Sequence, residues 1–295
     1  MNLVYKIGIF TFVIFNVIEI FSQETSNPKF ELSTIAQANQ GNSYITFPTD
    51  IGNMEPLIFE ANLIPNFIIR ENSNSKLIGV LTPQIIIRMY NQYSYPVKTP
   101  SYRPQVTLYY NFKESSTFKK VIFGRLAHHS NGQNDSLIYY NGLLNIDSGD
   151  FSTDYIEAGY IFTNLAPKTN AVRFFKSSLE FHPKNSTHEL LNNSYQRWRW
   201  HNEFSAFKVP INGQNKKARM SLDIKTTVFL GNINDIPTFS TDRFQMSVTY
   251  SYFPKFLEDI GFFVQFYQGK DFYNVYYNQD RTMLRFGLMT DKLRF

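Results

Sequence analysis

The segment RTMLRFGLM, residues 281–289, sets Leu284, Phe286 and Leu288 on one parity and Met283, Arg285, Gly287 and Met289 on the other. Successive side chains of a strand point to opposite faces, so this segment reads as a β-strand with one wholly apolar face. The alternation breaks at Thr290-Asp291-Lys292, just before the chain ends in Phe295.

Working back along the chain, similar segments recur. RPQVTLYYNF (103–112), FKKVIFGRLAHHS (118–130), DYIEAGYIFTN (154–164) and AVRFFKSSLEF (171–181) are examples, as are RWRWHNEFSAF (197–207), ARMSLDIKTTVFL (218–230), RFQMSVTYSYF (243–253) and GFFVQFYQG (261–269). The separators carry Asn, Gly, Asp, Ser and Pro, which supply turn conformations. Roughly twelve segments emerge, each close to the ~9–11 residues a tilted membrane strand needs. No stretch shows a sustained helical period. The expected fold is all-β: a transmembrane antiparallel β-barrel of about 12 strands, the β architecture that satisfies every backbone group in lipid. Twenty-nine Phe and 19 Tyr suit aromatic girdles. A terminal aromatic such as Phe295 is a common feature of bacterial outer-membrane barrels. A soluble sandwich or propeller is the competing architecture, and the absence of a fixed repeat of about 20–50 residues weakens the propeller.

The N-terminus reads MNLVYKIGIFTFVIFNVIEIFSQETSN. Lys6 precedes an apolar run from Ile7 to Phe21 that Asn16 and Glu19 interrupt. The run is shorter than the ~20 residues of a spanning helix, so a cleaved secretory signal is expected over residues 1–23. Residues 24–55 then form an N-terminal extension and 56–295 the barrel. The absence of cysteine excludes a disulfide scaffold, a thiolate metal site and a cysteine nucleophile. The +5 net charge is spread without a dense basic block, so no nucleic-acid partner is expected.

The chemistry-bearing element is His128-x-Ser130 within GRLAHHSNGQNDS (124–136). Residues i and i+2 share a strand face, and this face continues back through Leu126, Gly124 and Ile122. Arg125 and His129 take the other face, where His129 reads as a lumen residue. An imidazole beside a hydroxyl is the minimal base–nucleophile pair for ester chemistry. On a lipid-facing row, ester chemistry on a lipid gives such a polar pair a reason. Asp154 shares its face with Ile156, Ala158, Tyr160 and Phe162, the parity needed to meet His128 from the next strand. Asn141 and Asn145 compete for that role from the loop, and Glu157 faces the lumen. His188-Glu189 begins like a zinc-protease helix, but Asn192 stands where its second histidine is needed. His182 and His201 show no obvious partners in the sequence.

His128-His129-Ser130-Asn131-Gly132 resembles the H-x-S-N-G motif of bacterial outer-membrane phospholipase A. SYPVKTPSYRPQ (94–105) resembles the family's Ser-x-Pro segment followed by Tyr-x-Pro-Gln. Tyr267-x-Gly269 and Asn278-Gln279-x-Arg281 resemble its C-terminal signature. The resemblance runs from about residue 80 onward.

The resemblance implies a calcium-dependent acyl hydrolase, active as a homodimer on membrane phospholipid in the bacterial outer membrane. His128 would be the general base and Ser130 the nucleophile, with Asp154 where the family usually has asparagine. The loop before Asp154 is about a dozen residues longer than the family's. Ca2+ would take a main-chain oxygen of Gln133, the side chain of Asp150 where the family uses serine, and a backbone oxygen of Ser94 from the second subunit. Asp135 and Asp147 are nearby alternatives for the carboxylate. Other readings are a lipid A deacylase, whose barrels are smaller, and a non-enzymatic barrel or porin, which needs a wider lumen.

Overall fold

The computed structural model describes residues 31–48, 50–115, 118–166, 171–191, 195–208, 218–233, 236–257 and 259–290. The signal segment 1–23, Asn192 and the terminal Phe295 lie outside the described residues.

Six ladders of the wall run through β5 (Leu77–Tyr90), β6 (Ser101–Glu114), β7 (Phe118–Ser130), β8 (Ser152–Ala166), β9 (Ala171–Phe181), β10 (Trp198–Lys208) and β11 (Met220–Leu230). The wall continues through β12 (Phe244–Tyr252), β13 (Ile260–Lys270) and β14 (Asp280–Thr290). Two further staves are each split in two. β1 (Tyr44–Thr46) and β2 (Ile51–Gly52) both pair with β14, while β3 (Leu57–Leu63) and β4 (Phe67–Ile69) both pair with β5. The fourteen segments therefore make twelve antiparallel staves. Tyr44 opposite Met289, and Tyr44 opposite Asn62, close the sheet into a barrel.

Alternation builds the wall as the sequence predicts. On β6 Tyr102, Val106, Leu108, Tyr110 and Phe112 point outward and are exposed, while Ser101, Gln105, Thr107, Tyr109 and Asn111 are buried inside. An exterior of this composition is poorly solvated by water and suits hydrocarbon.

The lumen is filled in layers. The lower layer contains a helix, α1 (Leu32–Gln40), where the sequence shows no sustained helical period. Leu32, Ile35 and Ala36 pack against Ile78, Val80, Tyr109, Val121, Phe123 and Phe174 from the wall. Nine residues are too few for stable helix in isolation, so the barrel interior holds it. The side chains of Asn39 and Gln40 anchor its end on the Tyr109 hydroxyl. The segment read as an extension thus supplies both a plug (α1) and wall (β1 and β2).

Charges occupy the middle layer. Arg88 donates Nε to Glu60 at 2.7 Å and both terminal nitrogens to Asp271 at 2.9 Å. Arg285 reaches the other Glu60 oxygen at 2.8 Å, and Arg281 donates to Asp271 at 3.0 Å. Elsewhere in the lumen Glu157 pairs with Arg125 and Lys176. Each of these buried charges has a partner, as low-dielectric burial demands. Between these groups a polar cavity of about 370 Å³ remains.

The upper layer closes the mouth. Tyr90, Leu137, Phe151, Leu191, Tyr195, Tyr273 and Tyr276 pack together there. Tyr273 and Asn274 hold the 91–100 loop from beneath through the carbonyls of Lys98, Thr99 and Pro100.

Candidate active site

β7 and β8 pair so that His128 stands directly opposite Asp154, and Ser130 opposite Ser152. The outward parity of this row follows from the inward burial of Val121, Phe123 and Ala127. His128 and Asp154 accordingly have side chains about half exposed, at 45% and 50%. His128 Nδ1 lies 2.7 Å from Asp154 Oδ1. This contact directs the Nδ1 proton to the carboxylate and leaves Nε2 free to accept one. Ser130 is two residues further along the same row, at the rim of the wall. On its other flank Tyr102 of β6 stands opposite it.

His129 points the other way. It is only 4% exposed, hydrogen-bonds Ser101 at 2.6 Å and packs edge-on to Phe151. Glu157 is also in the lumen, as its parity predicts.

The rim around Ser130 is fixed by Asn131, which is buried. Its Oδ1 accepts from the backbone N–H groups of Gln133 at 3.2 Å and Phe151 at 3.0 Å. Its Nδ2 donates to the Gly149 carbonyl at 2.7 Å. One side chain therefore ties the turn after β7, at Gln133, to the strand entering β8, at Gly149 and Phe151. Gly132 takes φ +67, a left-handed conformation that glycine adopts without strain.

The competing residues take other roles. Asn145 is buried and organises its own turn, donating to the Ser136 carbonyl at 3.0 Å and accepting from Asp147 and Ser148 backbone. Asn141 accepts from Leu143 N–H at the loop tip. Neither contacts His128. Asp147 pairs with Lys98 at 2.7 Å, and that hydrogen bond holds its carboxyl below the ordinary range. Asp135 contributes its backbone oxygen to Asp150 N–H at 2.8 Å. The Asp150 carboxylate faces His188 Nε2 at 3.7 Å. Ser94 is exposed on the 91–100 loop at φ +64.

Two histidines without evident partners in the sequence acquire them from the register. Glu180 accepts from His182 at 2.8 Å, contacts His201 at 3.3 Å and pairs with Arg199 at 3.1 Å. Glu180 and His182 are two apart, so a shared face was visible. The arrival of β10 beside them was not.

Among the described residues no cluster of three or more His, Asp or Glu is arranged to hold a metal. The loop between β7 and β8 offers oxygens of another kind, a main-chain carbonyl at Gln133 and a single carboxylate at Asp150. Hard, mixed oxygen donors of this type fit a calcium ion completed by further carbonyls or water.

No family model and no curated protein matches the sequence. Solved structures do. Outer membrane phospholipase A from Escherichia coli aligns with a TM-score of 0.59 at 13% identity, over 89% of this chain and 99% of that chain. An active-site mutant of the same protein gives 0.57 at 13% identity, over 95% and 97%. The Salmonella typhi outer membrane phospholipase dimer with bound calcium gives 0.56 at 14% identity, over 85% and 90%. At these identities the likeness is one of fold, and the chain is a closed twelve-stave antiparallel barrel of the form found in outer membrane phospholipase A.

Proposed function

We propose that this barrel is a calcium-dependent phospholipase A of the bacterial outer membrane, acting on acyl esters of glycerophospholipids. The observation that carries the reading is the His128–Asp154 hydrogen bond on the outside of the wall, with Ser130 on the same row. A buried lumen site would serve water-soluble molecules. A half-exposed imidazole–carboxylate pair on an apolar exterior serves a substrate that lies in the lipid.

The residues divide the work as follows. Ser130 Oγ attacks the ester carbonyl while His128 Nε2 takes its proton. Asp154 holds the ring in the required tautomer and stabilises the imidazolium. His128 then returns the proton to the departing glycerol oxygen, releasing lysophospholipid. Water, deprotonated by His128, attacks the acyl-serine and releases fatty acid. An aspartate here gives stronger imidazolium stabilisation than the asparagine of the resembled family.

Calcium, when bound, supplies positive charge that stabilises the developing oxyanion. The Gln133 carbonyl and the Asp150 carboxylate would hold it, with Ser94 of the partner subunit completing the set. The Asn131 clamp supports this assignment, because it ties the backbone at Gln133 to the residues on either side of Asp150. A homodimer would then be the active form, and the Salmonella typhi structure is a dimer with bound calcium. Residues 1–23 would be removed on export.

The test is fatty-acid release from phospholipid micelles by the detergent-refolded protein, with calcium and then with EDTA, beside Ser130→Ala. Calcium-dependent release absent from the variant supports the reading. No release from a folded, crosslink-verified dimer moves the assignment to a non-enzymatic barrel or to another lipid such as lipid A.

A further inference from the structure

The loop between β7 and β8 is not simply a longer connection. Ile138 bridges Leu144, and Tyr139 N–H donates to the Leu143 carbonyl at 2.8 Å, so residues 138–144 form a small hairpin turning at Asn141-Gly142. Its base is anchored. Leu137 is buried in the mouth cluster, with Leu144 and Ile146 packed against it. Its tip is not covered. Tyr140 is fully exposed, Leu143 is 64% exposed, and Ile138 and Tyr139 are exposed beside them.

The hairpin is also tied sideways. Asp147 is bonded to Lys98 of the 91–100 loop and to the Tyr139 hydroxyl. That loop presents Tyr93 and Tyr95, also exposed. Ser94, Tyr95 and Thr99 are the non-glycine residues with positive φ among those described, and all lie in this one loop. Strained backbone of this sort persists where the surroundings over-determine it, as the 271–279 loop does from beneath. Two aromatic loop tips thus flank the rim that carries Ser130.

Exposed apolar patches of this extent on a stiff support mark an interaction surface. Tyrosine, with an apolar ring and a polar hydroxyl, is the residue suited to the boundary between headgroups and acyl chains. The patch is also continuous with a lipid-compatible face. It rises from the outward row Ile122, Leu126, His128 and Ser130, and stands beside Tyr102, Val106 and Leu108 of β6. From these observations we infer that the 138–144 hairpin seats its tip in the headgroup–acyl boundary of the leaflet and presents lipid to the Ser130 row. The inference rests on the phospholipase reading for its purpose, but its geometry can be tested without hydrolysis.

The chain contains no cysteine, so a single Tyr140→Cys variant takes one nitroxide label without background. Leu126→Cys, on the outward belt, and Ser73→Cys, in the exposed turn at the other end of the barrel, calibrate lipid and water. Each is refolded into dioleoylphosphatidylcholine vesicles and checked by heat-modifiable migration. Relaxation of the label by oxygen, which concentrates in lipid, is compared with relaxation by a water-soluble nickel chelate. The expected result is a Tyr140 label closer to Leu126 than to Ser73. Nickel accessibility equal to that at Ser73 overturns the inference. Measured in EDTA, where the proposed calcium-dependent dimer is not held together, label–label broadening that vanishes on dilution with unlabelled protein overturns it too, because the tip would then contact a second copy.

A kinetic arm uses Tyr140→Ser with Leu143→Ser, leaving the anchored base intact. The vesicle concentration giving half-maximal hydrolysis should rise about tenfold, the effect of losing roughly one partly buried side chain's worth of lipid contact. An unchanged value overturns the role in lipid presentation. If the wild-type chain hydrolyses nothing while the Tyr140 label still reads lipid, the phospholipase reading fails and the seating of the hairpin stands.

Discussion

His128 and Asp154 face each other across one rung of the β7–β8 ladder, on the outside of the barrel, and their side chains meet at 2.7 Å. Because the pair belongs to two rigid strands and not to loops, its geometry does not depend on a closing motion. Substituting Asp154 should therefore act on chemistry and leave folding intact. Asp154→Ala is expected to lower fatty-acid release by about a hundredfold or more, with normal heat-modifiable migration. Asn141→Ala should stay near wild type. The reverse order, read in the same micelle assay, would move the third member of the triad into the loop.

Ser130→Ala and His128→Ala should each abolish calcium-dependent release. His129→Ala distinguishes row from proximity. Its ring is in the lumen, so it should keep the chemistry and lose some stability through the Ser101 and Phe151 contacts. Full activity in His128→Ala would show that the outward row is not the site.

Glu60 joins Arg88 to Arg285, and all three side chains are at most 1% exposed. Glu60→Ala leaves two buried guanidiniums short of a partner. A loss of about 3–5 kcal/mol is expected, measurable by urea unfolding of the barrel in detergent. A loss below about 1 kcal/mol, on the scale of an exposed ion pair, would mean that water reaches this layer freely.

The Lys98–Asp147 pair should be sensitive to acid in a defined direction. Its hydrogen bond holds Asp147 below the ordinary value of 3.8. A depressed carboxyl favours the docked loop above that value and loses the contribution as pH falls through the lowered one. The pair is partly exposed and worth only about 0.2–1 kcal/mol. Lowering the pH below about 3.8, or Lys98→Ala at neutral pH, should raise the mobility of a label at Tyr140→Cys while β-sheet content is unchanged. A label indifferent to both would show that the hairpin is held by its Leu137 base alone.

The wall was legible in the sequence because a strand has period two. Leu284, Phe286 and Leu288 could be placed outside and Arg285 inside from parity alone, and the same parity put His128, Ser130 and Asp154 on one face. Register was not legible, since hydrophobic alternation specifies faces and not offsets. That is why Asn141 and Asn145 stayed open as competitors for Asp154. It is also why Glu180 could not be foreseen as the common partner of His182, His201 and Arg199. Helix α1 escaped for a different reason. A nine-residue segment has too little length to display a 3.6 period, and its helical state depends on the barrel that surrounds it.

The seam between Tyr44 and Met289 joins residues 245 positions apart through a short antiparallel ladder. The long staves otherwise pair with their neighbours in sequence order, so the sheet can grow strand by strand. It becomes compatible with hydrocarbon only when this last ladder forms. A chain stopped before β14 would present two rows of bare amide groups to lipid, each group costing several kcal/mol. The bare edges vanish only when β1 and β14 meet, so a bilayer, under the membrane reading, could accept the barrel only once closed.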